Sequence, residues 1–334
     1  MRKTGITLFA WLLALPLPLP LQAAQLLVVN KDDNNLQALD VRTGQSQQIV
    51  PLSTNPHEVI VPDCRFVAVS EYHAGRGNSV ALLDPQNLKL TRRLQLPDGA
   101  GPHGLAALAD GRLLITAEGI DQLLVSDAQR TELHQRIDTL AKVSHMVIAP
   151  IDGRRAYVSN IGSDSVTVID LAAGKIIKQL PTGEGAEGMA LSTDGARLWV
   201  TNRGADTVSV IDTASLQIIK TLESKGFPIR VALHPGGHLA AVSNATESTL
   251  SIFDARSLEL LQTVDVRNAG LLSGLGPIGR SQPIGLLFSP SGKQLFVALT
   301  LSGEIGVIDT DSWTLIDRWK VGNNPDGLAW LDCG

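Results

Sequence analysis

A short hydrophobic strand that ends in Asp recurs seven times along this chain of 334 residues. Successive copies begin 42 to 44 residues apart, except for the last interval of 55 residues. A period in the low forties, with several β-branched segments and turn residues in each unit, is typical of a β-propeller. The repeat therefore predicts an all-β fold, a propeller of seven blades. The marker residues are Asp40, Asp84, Asp127, Asp170, Asp212, Asp254 and Asp309.

One repeat shows why each blade should contain four strands. Residues 154–160 and 165–171 are rich in apolar and β-branched residues, and Asn160 can hold the tight turn between them. Residues 175–180 carry lysines, as an outer edge strand should, and residues 187–192 lead into the next turn. These segments predict four-stranded blades.

The two ends of the repeat region predict how the ring closes. Residues 26–30 have the pattern of a second strand, whereas residues 326–331 have the pattern of an innermost strand. We therefore expect the N- and C-terminal strands to share one blade, which removes the open edge of the sheet.

Residues 1–24 have the features of a secretory signal peptide. Arg2 and Lys3 precede an apolar run, and small residues stand at the expected cleavage site. The run is short for a membrane span, and three prolines follow it closely. We expect residues 25–334 to be one propeller domain that is periplasmic or secreted, monomeric, and without a membrane span after cleavage.

Charge and cysteine content narrow the classes of partner and fold. The formal net charge is −5 and no long block of like charges occurs, so we expect no nucleic-acid partner. Two cysteines cannot form the framework of a disulfide-rich domain. However, Cys64 and Cys333 occupy equivalent turns in blades that ring closure makes neighbours. A disulfide between them and two unpaired thiols are both compatible with the sequence.

Three segments carry a family resemblance: YVSN at 157–160, WVTN at 199–202 and AVSN at 241–244. Each precedes a VxVID-like strand, and in this the chain resembles the YVTN repeat family of β-propellers. The resemblance covers the whole chain after the leader and weakens in the first three repeats, where Glu71 and Glu118 stand in place of Asn. It implies a seven-bladed ring, but it does not assign an activity, because relatives include binding proteins, enzyme-associated propellers and haem-carrying ones.

Alignment of the innermost strands places candidate functional residues in one column. Equivalent positions on successive blades form a circle at one end of the central channel, so three consecutive histidines should converge there with carboxylates on either side. Such groups can bind a ligand or a metal, including a haem iron, or perform acid–base chemistry. In blade order the column holds His57, His103, His145, Glu187, Ile229, Ile284 and Asp326.

Within this column we expect the three histidines to be metal ligands or ligand-binding residues, and Glu187 and Asp326 to be the candidate catalytic acid and base. The alternative is that each imidazole only caps a turn or faces the solvent.

Other residues are expected near the same face. Tyr72, His73 and Arg76 lie in a long loop, and Arg230 follows the aligned column in its strand. The 55-residue interval places extra residues at 267–282, with Arg267 and Arg280, just before an innermost strand. Long loops in repeat proteins gather on the binding face.

Two functions are compatible with these features. The first is an exported binding module that takes a partner protein or a small ligand at the channel mouth. The second is an enzyme, either a metal- or haem-dependent component or a lactonase-like hydrolase, that uses the three histidines.

Overall fold

The computed structural model describes residues 24–267 and 280–333, so the expected signal peptide and most of the loop at 267–282 lie outside the described residues. In chain order the strands are β1 (Gln25–Asn30), β2 (Asn35–Asp40), β3 (Ser46–Pro51), β4 (Pro56–Ile60), β5 (Val67–Glu71), β6 (Ser79–Leu83), β7 (Leu90–Gln95), β8 (Pro102–Ala107), β9 (Leu113–Ala117), β10 (Gln122–Ser126), β11 (Leu133–Asp138), β12 (Ser144–Ile148), β13 (Arg155–Asn160), β14 (Ser165–Asp170), β15 (Lys175–Pro181), β16 (Ala186–Leu191), β17 (Arg197–Asn202), β18 (Thr207–Asp212), β19 (Gln217–Glu223), β20 (Pro228–Leu233), β21 (Leu239–Asn244), β22 (Thr249–Asp254), β23 (Leu260–Asp265), β24 (Pro283–Phe288), β25 (Gln294–Leu299), β26 (Glu304–Asp309), β27 (Thr314–Lys320) and β28 (Pro325–Leu331).

These strands form seven four-stranded antiparallel sheets, which confirms the predicted seven-bladed propeller. Blade 1 contains β28, β1, β2 and β3 from the axis outward, so the N- and C-terminal strands share a blade, as predicted. Blades 2 to 7 each contain four consecutive strands, from β4–β7 to β24–β27, with the first strand of each innermost. Within the described ranges, no helix is long and apolar enough to cross a membrane.

The core lies between adjacent blades. For example, Leu27 and Val29 of blade 1 pack against Val67 and Val69 of blade 2, all with no or almost no exposure. The fourth strands carry mostly exposed side chains; in β19 only Leu222 is buried. The hydrophobic effect therefore holds neighbouring blades together and leaves the outer rim polar.

Asparagine at the end of the second strand fixes the next turn. The Asn160 side-chain amide donates to the Ser165 backbone oxygen at 3.3 Å and to Thr167 Oγ1 at 2.9 Å. In blade 2 this position is occupied by Glu71, which accepts hydrogen bonds from Ser79 and Arg93 instead.

The sequence alignment was wrong by one position in blade 3. Pro102 pairs with Ala117, so Ala117 occupies the Asn position and Glu118 is the residue after it. The reason is that β9 ends one residue earlier than the motif suggests. This shift points the Glu118 carboxylate towards the channel mouth rather than into the blade.

Glycines allow the innermost strands to approach each other closely. A Cβ on Gly285 would lie 2.0 Å from the backbone oxygen of Asp326 in the neighbouring blade, and one on Gly188 would lie 2.2 Å from that of Ile229. Gly104 and Gly327 stand at the equivalent position of blades 3 and 1 and meet the same kind of contact. The central channel is therefore narrow.

A disulfide between Cys64 and Cys333 joins blade 2 to the C-terminal end of blade 1. Their Cα atoms are 5.7 Å apart, although the residues are separated by 269 positions in the sequence. The disulfide therefore holds the C-terminal strand, β28, next to blade 2.

Candidate functional site

A group of charged and aromatic side chains surrounds the channel at the end of the ring where the innermost strands begin. We call this end the histidine face and the group the polar cluster. Its side chains come from the first part of the innermost strands and from the residue that follows the second strand. The polar cluster contains Lys31, His57, Glu58, Tyr72, His103, Glu118, His145, Glu187, Arg203, Arg230 and Asp326.

The three predicted histidines lie together but form a row. The ring centroids of His57 and His103 are 4.7 Å apart, and those of His103 and His145 are 3.7 Å apart. Tyr72 packs on His57 at 4.5 Å. His103 is 2% exposed and His145 is 8% exposed, so these groups are buried rather than solvated as a channel mouth suggested.

The spacing of possible ligand atoms does not coincide with the ligand set expected from the sequence, which stays a prediction. The described residues that bring metal-ligating atoms within 4.8 Å of one another are His103, Glu118 and His145, and His57 is not among them. The rings pack directly against one another.

His145 lies between two carboxylates. Its Nδ1 is 2.7 Å from Glu118 Oε2, and its Nε2 is 3.6 Å from Glu187 Oε1. Burial alone lowers the pKa of His145, but these two carboxylates outweigh that effect and raise it. The Tyr72 hydroxyl donates to the other oxygen of Glu118 at 2.6 Å and so orients the carboxylate.

His57 and His103 have the opposite electrostatic character. Burial lowers the pKa of His57 to about 3, and it lowers the pKa of His103 well below its ordinary value. Both imidazoles are therefore neutral at pH 7. In each ring Nδ1 is buried and makes no hydrogen bond. Nδ1 of His57 lies 3.5 Å from Asp326 Oδ2, and Nε2 of His57 lies 3.2 Å from Asn55 Oδ1.

Arg230 extends across the channel from blade 6 and forms an ion pair with Glu58 of blade 2. It also lies 3.8 Å from Asp326 and 3.7 Å from Glu187. Burial lowers the pKa of Arg230, but the three carboxylates outweigh burial and raise it. The guanidinium therefore stays charged where it crosses the channel.

Two further ion pairs complete the rim. Lys31 Nζ is 3.0 Å from Asp326 Oδ2, and Arg203 Nη1 is 2.9 Å from Glu187 Oε2. Burial raises the pKa of Asp326, but Lys31 and Arg230 outweigh this effect and lower it to about 2. Both candidate acid–base carboxylates are thus ion-paired and deprotonated at neutral pH.

Blades 6 and 7 contribute an apolar wall to the same face. Ile229 and Ile284, the apolar members of the aligned column, pack with Ala245 and Phe227. The mouth is therefore polar around most of the ring and apolar along one side.

Not every expected residue belongs to the polar cluster. The side chains of His73 and Arg76 are exposed, and Arg267 pairs with Asp265 beside it. Arg280 is also exposed. Among the described residues of these two loops, only Tyr72 contributes to the polar cluster.

Sequence reasoning missed four residues of the polar cluster, namely Lys31, Glu58, Glu118 and Arg203. A second alignment would have found three of them. The residue after the second strand, in blade order, is Lys31, Tyr72, Glu118, Ile161, Arg203, Ala245 and Thr300.

Two clefts lie near the ends of the ring. One, of about 570 Å³, opens on the histidine face between blades 1 and 7 and is lined by Lys31, Ile284, Thr300 and Asn324, among others. The other, of about 600 Å³, lies on the opposite face beside Arg155. We favour the first as a ligand site because it lies on the histidine face and is lined by Lys31, which pairs with Asp326 of the polar cluster.

We expect the free energy of unfolding to fall as the pH decreases below 6.5. In the folded protein His57 stays neutral down to its pKa of about 3, whereas the unfolded chain takes up a proton near 6.5. The unfolded state then binds more protons, which lowers stability by up to about 1.4 kcal/mol per pH unit for each such histidine. Urea unfolding of the protein in chelator, at several pH values between about 7 and 4, measures this slope. His57→Gln should reduce the slope, and an unchanged slope would contradict the assignment.

The fold and site together define a seven-bladed β-propeller with a buried polar cluster at one end of its channel. By sequence, the chain belongs to the family described as a domain of unknown function, DUF5074, which matches residues 73–312. A comparison with curated proteins finds no sequence match.

Solved structures share the fold. The periplasmic gluconolactonase PpgL of Pseudomonas aeruginosa is 20% identical with a TM-score of 0.72, over 92% of this chain and 99% of that chain. A chain of the hydrazine synthase of Kuenenia stuttgartiensis is 18% identical with a TM-score of 0.69, over 92% of this chain and 100% of that chain. At these identities the likeness establishes the fold alone.

Proposed function

We propose that this protein is an exported binding module of the YVTN-repeat type, and that it takes a small, uncharged, polar ligand at the histidine face. The observation that carries the proposal is a set of buried polar atoms without hydrogen-bond partners. Folded proteins satisfy nearly all such atoms with protein groups, ordered water or a ligand, so a group of them at one place supports a site that takes up a polar partner. The set comprises His57 Nδ1, His103 Nδ1, Arg230 Nη1 and Asp326 Oδ1.

These four atoms come from four blades and offer both donors and acceptors. Arg230 Nη1 can only donate and Asp326 Oδ1 accepts, whereas each imidazole nitrogen does either according to its tautomer. A ligand with several hydroxyl or carbonyl groups matches this mixture. The cleft at Lys31 and Ile284, on the same face and next to the ion pair of Lys31 with Asp326, supplies space for such a molecule.

The charge of the polar cluster favours an uncharged ligand. Each acidic side chain already pairs with a basic side chain or with His145, so a charged ligand would have to displace an internal partner. The acids are Glu58, Glu118, Glu187 and Asp326, and the bases are Lys31, His145, Arg203 and Arg230. The apolar wall at Ile229 and Ile284 suits the less polar side of such a molecule.

Two residues offer a direct test of binding. Isothermal titration of the mature protein in chelator, with a panel of neutral sugars, polyols and aldonolactones, should give a saturable response for at least one class. His57→Phe keeps a ring of similar size but removes the unpartnered nitrogen, and it should weaken binding by about 10-fold or more. His134→Ala, on an exposed outer-strand position, is the matched control and should leave affinity unchanged. Equal binding by all three proteins would refute the site.

A lactone hydrolase is the second candidate, since one structural neighbour is a gluconolactonase and His145 is held between two carboxylates. An imidazole in that setting can donate and accept a proton during ester hydrolysis. Release of acid from gluconolactone, followed with a pH indicator, tests this candidate. Turnover above the spontaneous rate that is lost in His145→Gln would favour the enzyme over the binding module.

A further inference from the structure

We propose that His103, Glu118 and His145 bind one divalent first-row transition-metal ion, of which Zn²⁺ is the test case. One ligand atom from each of these side chains lies within 4.8 Å of the other two. Two imidazoles and one carboxylate form a ligand set that holds Zn²⁺ and leaves a coordination position open. Imidazole nitrogen favours transition metals over Mg²⁺ or Ca²⁺.

Burial of an unpartnered donor supports the site independently of this spacing. His103 is 2% exposed, and its Nδ1 has no hydrogen-bond partner. A buried acceptor or donor without a partner is costly, and a bound ion is one way to satisfy its surroundings. The ring centroids of His103 and His145 are 3.7 Å apart, and one ligand nitrogen of each ring lies within 4.8 Å of the other.

Neighbouring groups orient the proposed ligands. Tyr72 donates to the Glu118 oxygen that does not contact His145. Thr116 Oγ1 donates to the backbone oxygen of His145 at 2.5 Å and accepts from Gly104 N at 2.7 Å, which fixes the two innermost strands relative to each other. Hydrogen bonds from surrounding residues to the ligating residues hold metal ligands in place.

The ion would replace an existing hydrogen bond. The contact of 2.7 Å between His145 Nδ1 and Glu118 Oε2 is shorter than the separation of two ligands on one Zn²⁺, for which metal–nitrogen distances are about 2.0 to 2.1 Å. A small rotation of the Glu118 side chain, which is partly exposed, opens that space. The ligand set therefore differs from three histidines, because Glu118 takes the place expected for His57.

Titration of chelator-treated mature protein with Zn²⁺ tests the inference. We expect one equivalent per chain. His103→Gln and Glu118→Gln should each weaken Zn²⁺ binding by at least about 100-fold, which is the upper range for loss of an outer-shell partner. His57→Phe separates this set from three histidines: Zn²⁺ binding should be nearly unchanged if the ligands are His103, Glu118 and His145, whereas a three-histidine site would lose one ligand. His134→Ala, again the control, should bind as the wild type does.

Absence of stoichiometric binding by the wild type, or unchanged affinity in both variants, would overturn the inference. Thermal unfolding of each variant checks that it folds, and Glu118→Gln preserves size and hydrogen-bonding capacity if a histidine variant does not. The inference does not rest on the proposed ligand: sugar binding is measured in chelator and Zn²⁺ binding without sugar, so either can fail alone.

Discussion

Replacement of Arg230 by leucine should lower the free energy of unfolding by about 3 to 5 kcal/mol, because it removes the cation from a buried group of charges. The side chain forms an ion pair with Glu58 and lies within 4 Å of Glu187 and Asp326. Without it, three carboxylates from three blades face one another in a narrow channel. Denaturant unfolding at neutral pH measures the loss.

Arg203 provides the matched control for this prediction. It pairs with the same Glu187 at 2.9 Å, but its side chain is 34% exposed and lies at the rim. Arg203→Leu should therefore cost about 1 kcal/mol or less. The double variant Glu58→Leu/Arg230→Leu should recover part of the loss. Equal losses of unfolding free energy in Arg203→Leu and Arg230→Leu would show that burial of the Arg230 charge has no added effect on stability.

Loss of the disulfide is the second change with a large expected effect. Cys64→Ser/Cys333→Ser should lower the free energy of unfolding by about 2 to 4 kcal/mol. The bond closes a loop of 269 residues and so restricts the unfolded chain strongly. It also fastens β28, whose pairing with β1 closes the ring.

The redox state of the purified protein decides whether this prediction applies. Mass spectrometry of the protein without reductant should find no alkylatable thiol. A reductant should lower the unfolding temperature of the wild type and leave that of the double serine variant unchanged. Two free thiols in the protein purified without reductant, or equal unfolding temperatures for all samples, would contradict the prediction.

The fold could be predicted because repetition constrains it at several levels. The Asp spacing gave the number of blades, the lysines of residues 175–180 marked an outer strand, and the end segments predicted ring closure. Each feature reflects a local property, such as turn geometry or the exposure of an edge. The misplacement of Glu118 at the Asn position was also local, because β9 ends one residue earlier than the motif suggests.

The polar cluster could be predicted only in part. Alignment of equivalent positions found His57, His103 and His145, since backbone register in a repeat places them at the same height. It could not give side-chain direction, and so it did not predict that the three rings stack in a row. Nor could it find the contact between Arg230 and Glu58, which joins strands 172 residues apart across the ring.

The most direct test of the binding site is nuclear magnetic resonance of the protein labelled with ¹⁵N in its histidine rings, with and without the neutral ligand that binds best. The proposal predicts that the resonances of His57 and His103 shift. Those of His134 on the outer strand, and of His234 and His238 on the opposite face, should stay in place. Shifts confined to His234 and His238, or none at saturating ligand, would contradict a binding site at the histidine face.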